Sequence, residues 1–179
     1  LLGKKLITHQ TGPSGRIVKR LYVEVSSNID KEFYLSCLID RSSSKIAFIS
    51  SDRGGVNIEE VAKKSPDKII TTKLEKAKEI SEKDCEKIVK IFDLSQDTRK
   101  QAIHLVKSLY KMFINTDASM VEINPLILTK EKKIICLDAK VKFDSNALFR
   151  HPEILELRDL NEEDPTEIEA SKHDLAYIK

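Results

Sequence analysis

The stretch "SMVEINPLILTKEKKIICLDAK", residues 119–140, decides the fold because it encodes a β-hairpin that carries polar residues near its open end. Apolar residues fill most of both arms, and the charged run "TKEKK" supplies the turn. Side chains alternate across a strand, so we expect Glu122 and Asn124 on one face. The second arm then returns Asp138 and Lys140 to the same region.

The length of the turn decides which residues of the two arms face each other. A three-residue turn at 130–132 pairs Asn124 with Asp138, whereas a two-residue turn pairs Pro125 with Asp138. Directly opposed side chains lie about 5 Å apart. Pro125 cannot donate a ladder hydrogen bond, so we expect the pairing to weaken there and the strand to end open.

Oxygen ligands gathered in this way suit Mg²⁺, which takes one or two protein carboxylates together with phosphate oxygens and water. Lys140 would then meet a phosphate or neutralise the cluster. The alternative is an ordinary surface hairpin with a solvated salt bridge.

Two further polar segments lie outside the hairpin. In "EVSSNIDKE", Glu24 ends one apolar run, Glu32 begins the next, and Ser27 lies in the turn between them. Acids and hydroxyls at strand ends are suited to grip ribose hydroxyls, although an ordinary polar turn has the same composition. In "DRGGVNIEE", the glycine pair before a predicted helix either exposes N–H groups to an anion or forms a tight turn.

Hydrophobic periodicity predicts an α+β fold with a mainly antiparallel sheet and flanking helices. A meander of four strands is followed by a fifth strand, two amphipathic helices and the hairpin. The predicted strands cover residues 5–10, 17–25, 31–40, 45–51 and 67–74, and the helices cover 81–92 and 97–115. Ser81 is the expected N-cap of the first long helix.

Composition excludes several classes of function. The 179 residues carry 31 basic and 29 acidic side chains, a net charge of +2, and no Trp, which argues against a nucleic-acid binder. We interpret the Lys-rich face of 97–111, which includes His104, as a solvated helix face. No apolar run has the roughly 20 residues of a membrane helix.

The three cysteines, Cys37, Cys85 and Cys136, are far apart and lie among apolar residues. We predict reduced, packed thiols without a disulfide or a metal, typical of a reducing compartment. The chain also lacks both glycine-rich phosphate-binding motifs, so any phosphate-cradling loop is expected outside it.

These segments, in this order, resemble the β subunit of succinyl-CoA synthetase. The matching phrases span nearly the whole chain: "LLGKKLITHQT", "LYVEVSSNIDKEFYLSCLIDRSS", "GGVNIEEVA", "ASMVEINPLILTKEKKIICLDAK" and "NALFRHPE". The resemblance implies that residues 1–160 form a partial ATP-grasp nucleotide-binding domain, truncated at both ends. It also implies that the acidic segment 161–179 leads towards a C-terminal CoA-ligase domain, so we expect this sequence to be a piece of a longer protein.

The resemblance also implies a reaction, cofactors and a partner. The family couples succinate, CoA and ATP or GTP to succinyl-CoA, ADP or GDP and phosphate, through a phosphohistidine on the α subunit. Mg²⁺ and the nucleotide are the implied cofactors, the α subunit is the implied partner, and neither nucleic acid nor a membrane is expected. The implied location is the bacterial cytoplasm or the mitochondrial matrix, and the chain alone is predicted to be inactive.

Family positions carry over residue by residue. Glu122 falls on an acid near the phosphoryl-transfer centre, where a carboxylate would orient the phosphohistidine. The nucleotide-binding positions are Glu24, Ser27 and Glu32, and the Mg²⁺-binding positions are Asn124 and Asp138.

Some residues depart from the family pattern: Arg53 and Asn57 stand where acids are common, and Ala139 replaces a common glycine. None of His9, His104, His151 and His173 lies in the context of a phosphorylated histidine. Two alternatives remain open at this point: a related ligase of the malate–CoA ligase or ATP-citrate lyase type, and a non-catalytic module that docks an α subunit.

Overall fold

A six-stranded antiparallel sheet forms the centre of the molecule. The computed structural model describes residues 1–8, 11–75, 79–173 and 175. Its strands are β1 (Lys5–Leu6), β2 (Arg16–Ile17), β3 (Ile29–Asp40), β4 (Lys45–Ser51), β5 (Ile69–Lys73), β6 (Ala118–Thr129), β7 (Ile134–Cys136) and β8 (Ala139–Phe143). The order in the main sheet is β5-β4-β3-β6, and both β7 and β8 pair with β6. The predicted α+β class with a mainly antiparallel sheet is therefore confirmed.

The helices follow the predicted order along the chain. They are α1 (Ile58–Lys64), α2 (Glu82–Val89), α3 (Gln96–Asn115), α4 (Pro152–Leu155) and α5 (Pro165–Ser171), with 3₁₀ turns at Pro66–Lys68, Lys90–Phe92 and Leu148–Arg150. The N-cap prediction for α2 is confirmed, because Ser81 Oγ accepts a hydrogen bond of 3.1 Å from the Asp84 N–H. A side-chain acceptor at this position satisfies a backbone donor that the first turn leaves free.

The hydrophobic core lies on one face of the sheet, beneath α2 and α3. Alternate residues of β3, including Phe33, Leu35 and Cys37, point into it, and apolar residues of both helices cover them. The rings of Phe33 and Phe92 pack with centroids 4.7 Å apart. Burying each such side chain contributes about 1.5–3 kcal/mol. The opposite face of the sheet carries polar side chains, and it is buried in part as well, at Tyr34 and Ser36.

The first two predicted strands are wrong in extent. Pairing is limited to β1 and β2, which form a separate two-stranded sheet, and residues 18–28 form neither strand nor helix. The alternation of Leu21, Val23 and Val25 suggested a strand, but Val25 is 93% exposed and none of these residues reaches the core. An alternating pattern specifies a strand only where a neighbouring strand and a buried face are available. Residues 9–10, at the end of the first predicted strand, lie outside the described residues.

The segment after β8 returns to the N-terminal residues. Arg20 forms an ion pair of 2.7 Å with Asp159. Arg158 forms two charge-assisted hydrogen bonds to the carboxylate of Glu163, at 2.5 and 2.6 Å. The acidic segment contains the short helix α5, while the proposed boundary at residue 160 stays a prediction. Within the described ranges, no helix is long and apolar enough to cross a membrane.

Candidate functional site

The hairpin adopts the register of the three-residue turn. Leu126 pairs with Cys136 and Leu128 pairs with Ile134, which places Asn124 opposite Asp138. The backbone N–H of Asn124 donates to the carbonyl oxygen of Asp138 at 3.1 Å. The pairing is irregular beside Pro125, as predicted: the β3–β6 register shifts there, and the returning arm is divided into β7 and β8. The strand itself does not end at Pro125, because β6 continues to Thr129.

Most of the predicted site residues lie on the sheet face opposite α2 and α3; this surface is called the open face below. Its members are the β3 residue Glu32, the β6 residues Glu122 and Asn124, and Asp138 and Lys140 from the returning arm. Core residues Val121 and Ile123 alternate with Glu122 and Asn124 along β6, and Lys140 pairs with Glu122. Asp138 lies in the bend between β7 and β8, and its carbonyl oxygen accepts a hydrogen bond from the Asn124 N–H. Three strand segments therefore bring four of the six predicted site residues to one surface.

The side chain of Asn124 joins this face to the glycine turn at Gly54–Val56. Its Oδ1 accepts a hydrogen bond of 2.8 Å from the Gly55 N–H, and its Nδ2 donates one of 3.0 Å to the Val56 carbonyl oxygen. The Gly54 N–H donates to the Glu32 carbonyl oxygen at 3.2 Å. Both glycine N–H groups thus have protein acceptors, which favours the tight-turn interpretation over a free anion site.

The donors present fit Mg²⁺. An amide oxygen has two lone pairs, and the Gly55 N–H occupies one of those on Asn124. The Asp138 side chain is exposed and has no hydrogen-bond or ion-pair partner within the described ranges. Two protein oxygens suit an ion that keeps water and phosphate ligands. In the described part of the chain no group of three or more His, Cys, Asp or Glu residues is arranged to hold a metal, so an all-protein metal cage is not formed there.

Glu122 lies between two different neighbours on the open face. It is opposite Ser36 on β3 and opposite Lys140 on β8. The neighbouring Tyr34 is buried, and this burial raises the pKa of its phenol; the carboxylate of Glu122 raises it further, while Ser36 opposes the shift. The Ser36 hydroxyl is buried without a hydrogen bond of normal geometry. Tyr34 therefore stays a neutral phenol at physiological pH and adds no charge next to Glu122.

The predicted nucleotide residues Glu24 and Ser27 lie apart from the others, in the irregular segment 18–28. Glu24 is exposed and accepts a hydrogen bond of 3.2 Å from the Tyr22 hydroxyl, and Ser27 is half-buried. The end of this segment is tied to the hairpin turn, because Asn28 accepts from the Lys130 N–H at 2.9 Å and donates to Glu131 at 3.0 Å. No hydrogen bond or ion pair joins Glu24 or Ser27 to the open face among the residues that the structure describes.

The two departures in "DRGGVNIEE" have local explanations. Asn57 is the N-cap of α1, where its Oδ1 accepts from the N–H groups of Glu59 and Glu60 at 2.8 and 3.3 Å. Arg53 is exposed and lies 3.8 Å from the Asp52 carboxylate.

The described histidines and cysteines take part in no cluster that could hold a metal. His151 is largely buried and contacts Asp117 at 2.7 Å, whereas His104 and His173 are exposed and His9 lies outside the described residues. Cys37 and Cys85 are buried free thiols, as predicted, but Cys136 is exposed, so its predicted burial is wrong. Cys136 ends the short strand β7, which lies at the edge of the sheet.

Comparison with known proteins identifies the domain family of this chain. A family model described as an ATP-grasp domain matches residues 1–128, so the chain belongs to the ATP-grasp domain family. Among solved structures, an ATP citrate lyase from Methanothrix soehngenii matches with a TM-score of 0.61 at 15% identity, over 97% of this chain and 39% of the other. That likeness concerns the fold alone.

Curated proteins include relatives of much higher sequence identity. The chain is 78% identical over all 179 residues to a protein of Pelagibacter ubique (strain HTCC1062) named succinate–CoA ligase [ADP-forming] subunit beta. It is 54% identical over the same length to the protein of that name from Parvibaculum lavamentivorans. The chain spans about half the length of these relatives, 46% of each. The resemblance inferred from the sequence is therefore confirmed.

One feature of the site was missed by sequence reasoning. The double hydrogen bond from Asn124 to the glycine turn joins residues that are nearly 70 positions apart, and no local pattern predicts it. The pair Gly54–Gly55 indicated a turn, but the sequence did not show that this turn packs against β6.

Proposed function

We propose that this chain is the nucleotide- and Mg²⁺-binding part of a succinate–CoA ligase β subunit. The enzyme couples succinate, CoA and ATP to succinyl-CoA, ADP and phosphate through a phosphohistidine on an α subunit. The observation that carries the proposal is 78% identity along the entire chain to a protein of that name. Both relatives described above are named ADP-forming, which favours ATP over GTP.

Asn124 and Asp138 are proposed to hold the Mg²⁺ ion. Support comes from their opposed positions on the hairpin and from the Asp138 carboxylate, which is exposed and unpaired within the described ranges. When bound, the ion would neutralise charge on the nucleotide phosphates, the usual role of metals in phosphoryl transfer. Lys140 has no ion pair within those ranges despite facing Glu122, and it is proposed to meet a phosphate oxygen.

Glu24, Ser27 and Glu32 are proposed to bind the nucleoside. Glu32 is supported by its place on the open face beside Asn124. Glu24 and Ser27 are supported by their exposed or half-buried side chains in a segment without regular structure, which is free to fit a ligand. Carboxylates accept hydrogen bonds from ribose hydroxyls, and the Ser27 hydroxyl both donates and accepts.

Glu122 is proposed to orient the phosphohistidine of the α subunit. A carboxylate that accepts from one imidazole nitrogen fixes the tautomer, so the other nitrogen is free to take the phosphoryl group. Support comes from the place of Glu122 on the open face, where it is opposite Ser36 on β3 and Lys140 on β8. The α subunit is accordingly the proposed partner. The relatives described above are bacterial, which favours the cytoplasmic location over the mitochondrial matrix.

The experiment is the Asp138→Ala variant of the complete β subunit, assembled with its α partner. We expect loss of Mg²⁺-dependent phosphorylation of the α subunit, followed with γ-labelled ATP, while assembly is unchanged by size-exclusion chromatography. The matched control is Asp97→Ala, which removes an exposed aspartate from α3, on the opposite side of the sheet. Phosphorylation retained by Asp138→Ala would remove the metal assignment.

A further inference from the structure

The glycine turn at Gly54–Val56 connects two strands that carry different parts of the proposed site. Its first N–H bonds to the backbone of Glu32 on β3, and its second N–H and its last carbonyl bond to the side chain of Asn124 on β6. β3 and β6 are neighbours in the sheet. The turn therefore lies across the nucleotide residue Glu32 and the metal residue Asn124.

The two glycines are needed for different reasons. A Cβ atom on Gly54 would overlap the backbone N and O atoms of Phe33, which cannot move without breaking β3. Gly55 has φ +68°, and a Cβ atom there would lie 3.2 Å from both carboxylate oxygens of Glu32. The Glu32 carboxylate thus lies where a side chain at position 55 would approach it, and it would have to shift by a few tenths of an ångström to admit a methyl group.

The far end of the turn is fixed as well. Asn57 follows Val56 and caps α1 with two hydrogen bonds, so the chain enters a helix directly after the turn. A turn held at β3, at β6 and at α1 has little freedom to move on its own. A change in the backbone conformation of the turn is therefore expected to move Glu32 and Asn124, to which the turn is hydrogen-bonded.

We propose that the glycine turn is a positioning element, in which Gly55 holds the Glu32 carboxylate and the Asn124 amide at a fixed separation for one Mg²⁺–nucleotide ligand. The Glu32 carboxylate lies 3.2 Å from the place that a Cβ atom on Gly55 would take, and Asn124 Oδ1 accepts a hydrogen bond from the N–H of the same residue. The inference rests on the proposed function, because it assigns a geometry to residues that the proposal gives to nucleotide and metal. A misplacement of about 1 Å can cost about a hundredfold in a positioned site, and the shift that a methyl group at position 55 requires is a few tenths of an ångström.

The test is the affinity of the complete, assembled β subunit for ADP with Mg²⁺, measured by isothermal titration calorimetry. Gly55→Ala is expected to raise the Kd by about tenfold, because the new methyl group displaces the Glu32 carboxylate. The matched control is Gly12→Ala. Gly12 also has φ +68°, but a methyl group added there would meet no atom within 4 Å, so this variant introduces the same backbone strain without the contact. Its Kd for ADP is expected to stay within about twofold of the parent value.

A double-mutant cycle with Glu32→Gln assigns the effect to the carboxylate. In the Glu32→Gln background, Gly55→Ala is expected to raise the Kd by less than about threefold, since the interaction that it displaces is already lost. A full tenfold effect in that background, or a Gly55→Ala variant as mild as Gly12→Ala, would overturn the positioning role. If Glu32→Gln alone leaves ADP affinity unchanged, the nucleotide role of Glu32 in the proposed function is wrong instead.

A second pair of variants covers the case in which Gly55→Ala fails to assemble. Asparagine tolerates positive φ better than alanine, so Gly55→Asn and Gly12→Asn repeat the comparison with less backbone strain. The larger side chain at position 55 still displaces the Glu32 carboxylate, and the same tenfold difference between the two variants is expected. Equal affinities for the two would contradict the inference.

Discussion

Asn124 and Asp138 are both proposed metal residues, yet the structure predicts that their removal affects stability differently. Asn124 makes two side-chain hydrogen bonds to the glycine turn, whereas Asp138 makes none within the described ranges. A typical hydrogen bond contributes about 0.5–1.5 kcal/mol net. Because water can reach the exposed residues Gly55 and Val56 once the amide is gone, the lower half of that range applies. Asn124→Ala is therefore expected to cost about 1.5 kcal/mol, and Asp138→Ala less than about 0.5 kcal/mol.

The assay is urea unfolding of the 179-residue chain, followed by far-ultraviolet circular dichroism. With an m value of about 2 kcal/mol/M, Asn124→Ala lowers the unfolding midpoint by roughly 0.7 M, and Asp138→Ala by less than about 0.3 M. Asn115→Ala is the control, since it removes an exposed asparagine at the end of α3. Equal midpoints for Asn124→Ala and Asp138→Ala would refute the reasoning, because they would show that the turn does not depend on the amide.

Three further predictions concern activity, thiol chemistry and the core. The 179-residue chain alone should form no succinyl-CoA, because it contains no glycine-rich phosphate loop; measurable product would contradict this. Among the thiols, Cys136 should be alkylated first in the native state, because it is exposed while Cys37 and Cys85 are buried. Its rate should rise with pH through pH 9, because partial desolvation of the thiol raises its pKa above the ordinary value. Burial raises the pKa of Cys85 to about 11, and equal labelling of Cys85, tested by mass spectrometry, would show that α2 does not hold this residue against the core. Phe92→Ala should lower the free energy of unfolding by about 3–5 kcal/mol, and a loss below about 1 kcal/mol in urea titrations would contradict its packing against Phe33.

Periodicity predicted the core elements well because the sheet and its helices have one buried face each. Apolar residues of α2 and α3 recur every three or four positions, and apolar residues of β3 alternate with polar ones. Each pattern therefore identifies the side of the element that packs into the core. The same rule failed for residues 17–25. Leu21, Val23 and Val25 alternate just as regularly, but nothing in the described chain pairs with them or covers them.

The sequence predicted which strand residues share the candidate site, but it did not predict the hydrogen bonds that join them to the glycine turn. Alternation placed Glu122 and Asn124 on one face, and the turn length limited the register to two possibilities, of which the structure has the first. The contact between Asn124 and Gly55 depends on how β4 and α1 are joined above the sheet, a tertiary arrangement that no local spacing encodes. For the same reason, the exposure of Cys136 was missed, since its neighbours in sequence are apolar but its strand lies at an edge.

The most direct test of the account is to locate the metal in crystals of the complete β subunit grown with ADP and Mn²⁺ in place of Mg²⁺. An anomalous-scattering peak is expected on the open face, roughly 2.1 Å from a carboxylate oxygen of Asp138 and from Oδ1 of Asn124. The peak should be absent from crystals of the Asp138→Ala variant. A metal held by other residues, or one that persists unchanged without Asp138, would contradict the central claim.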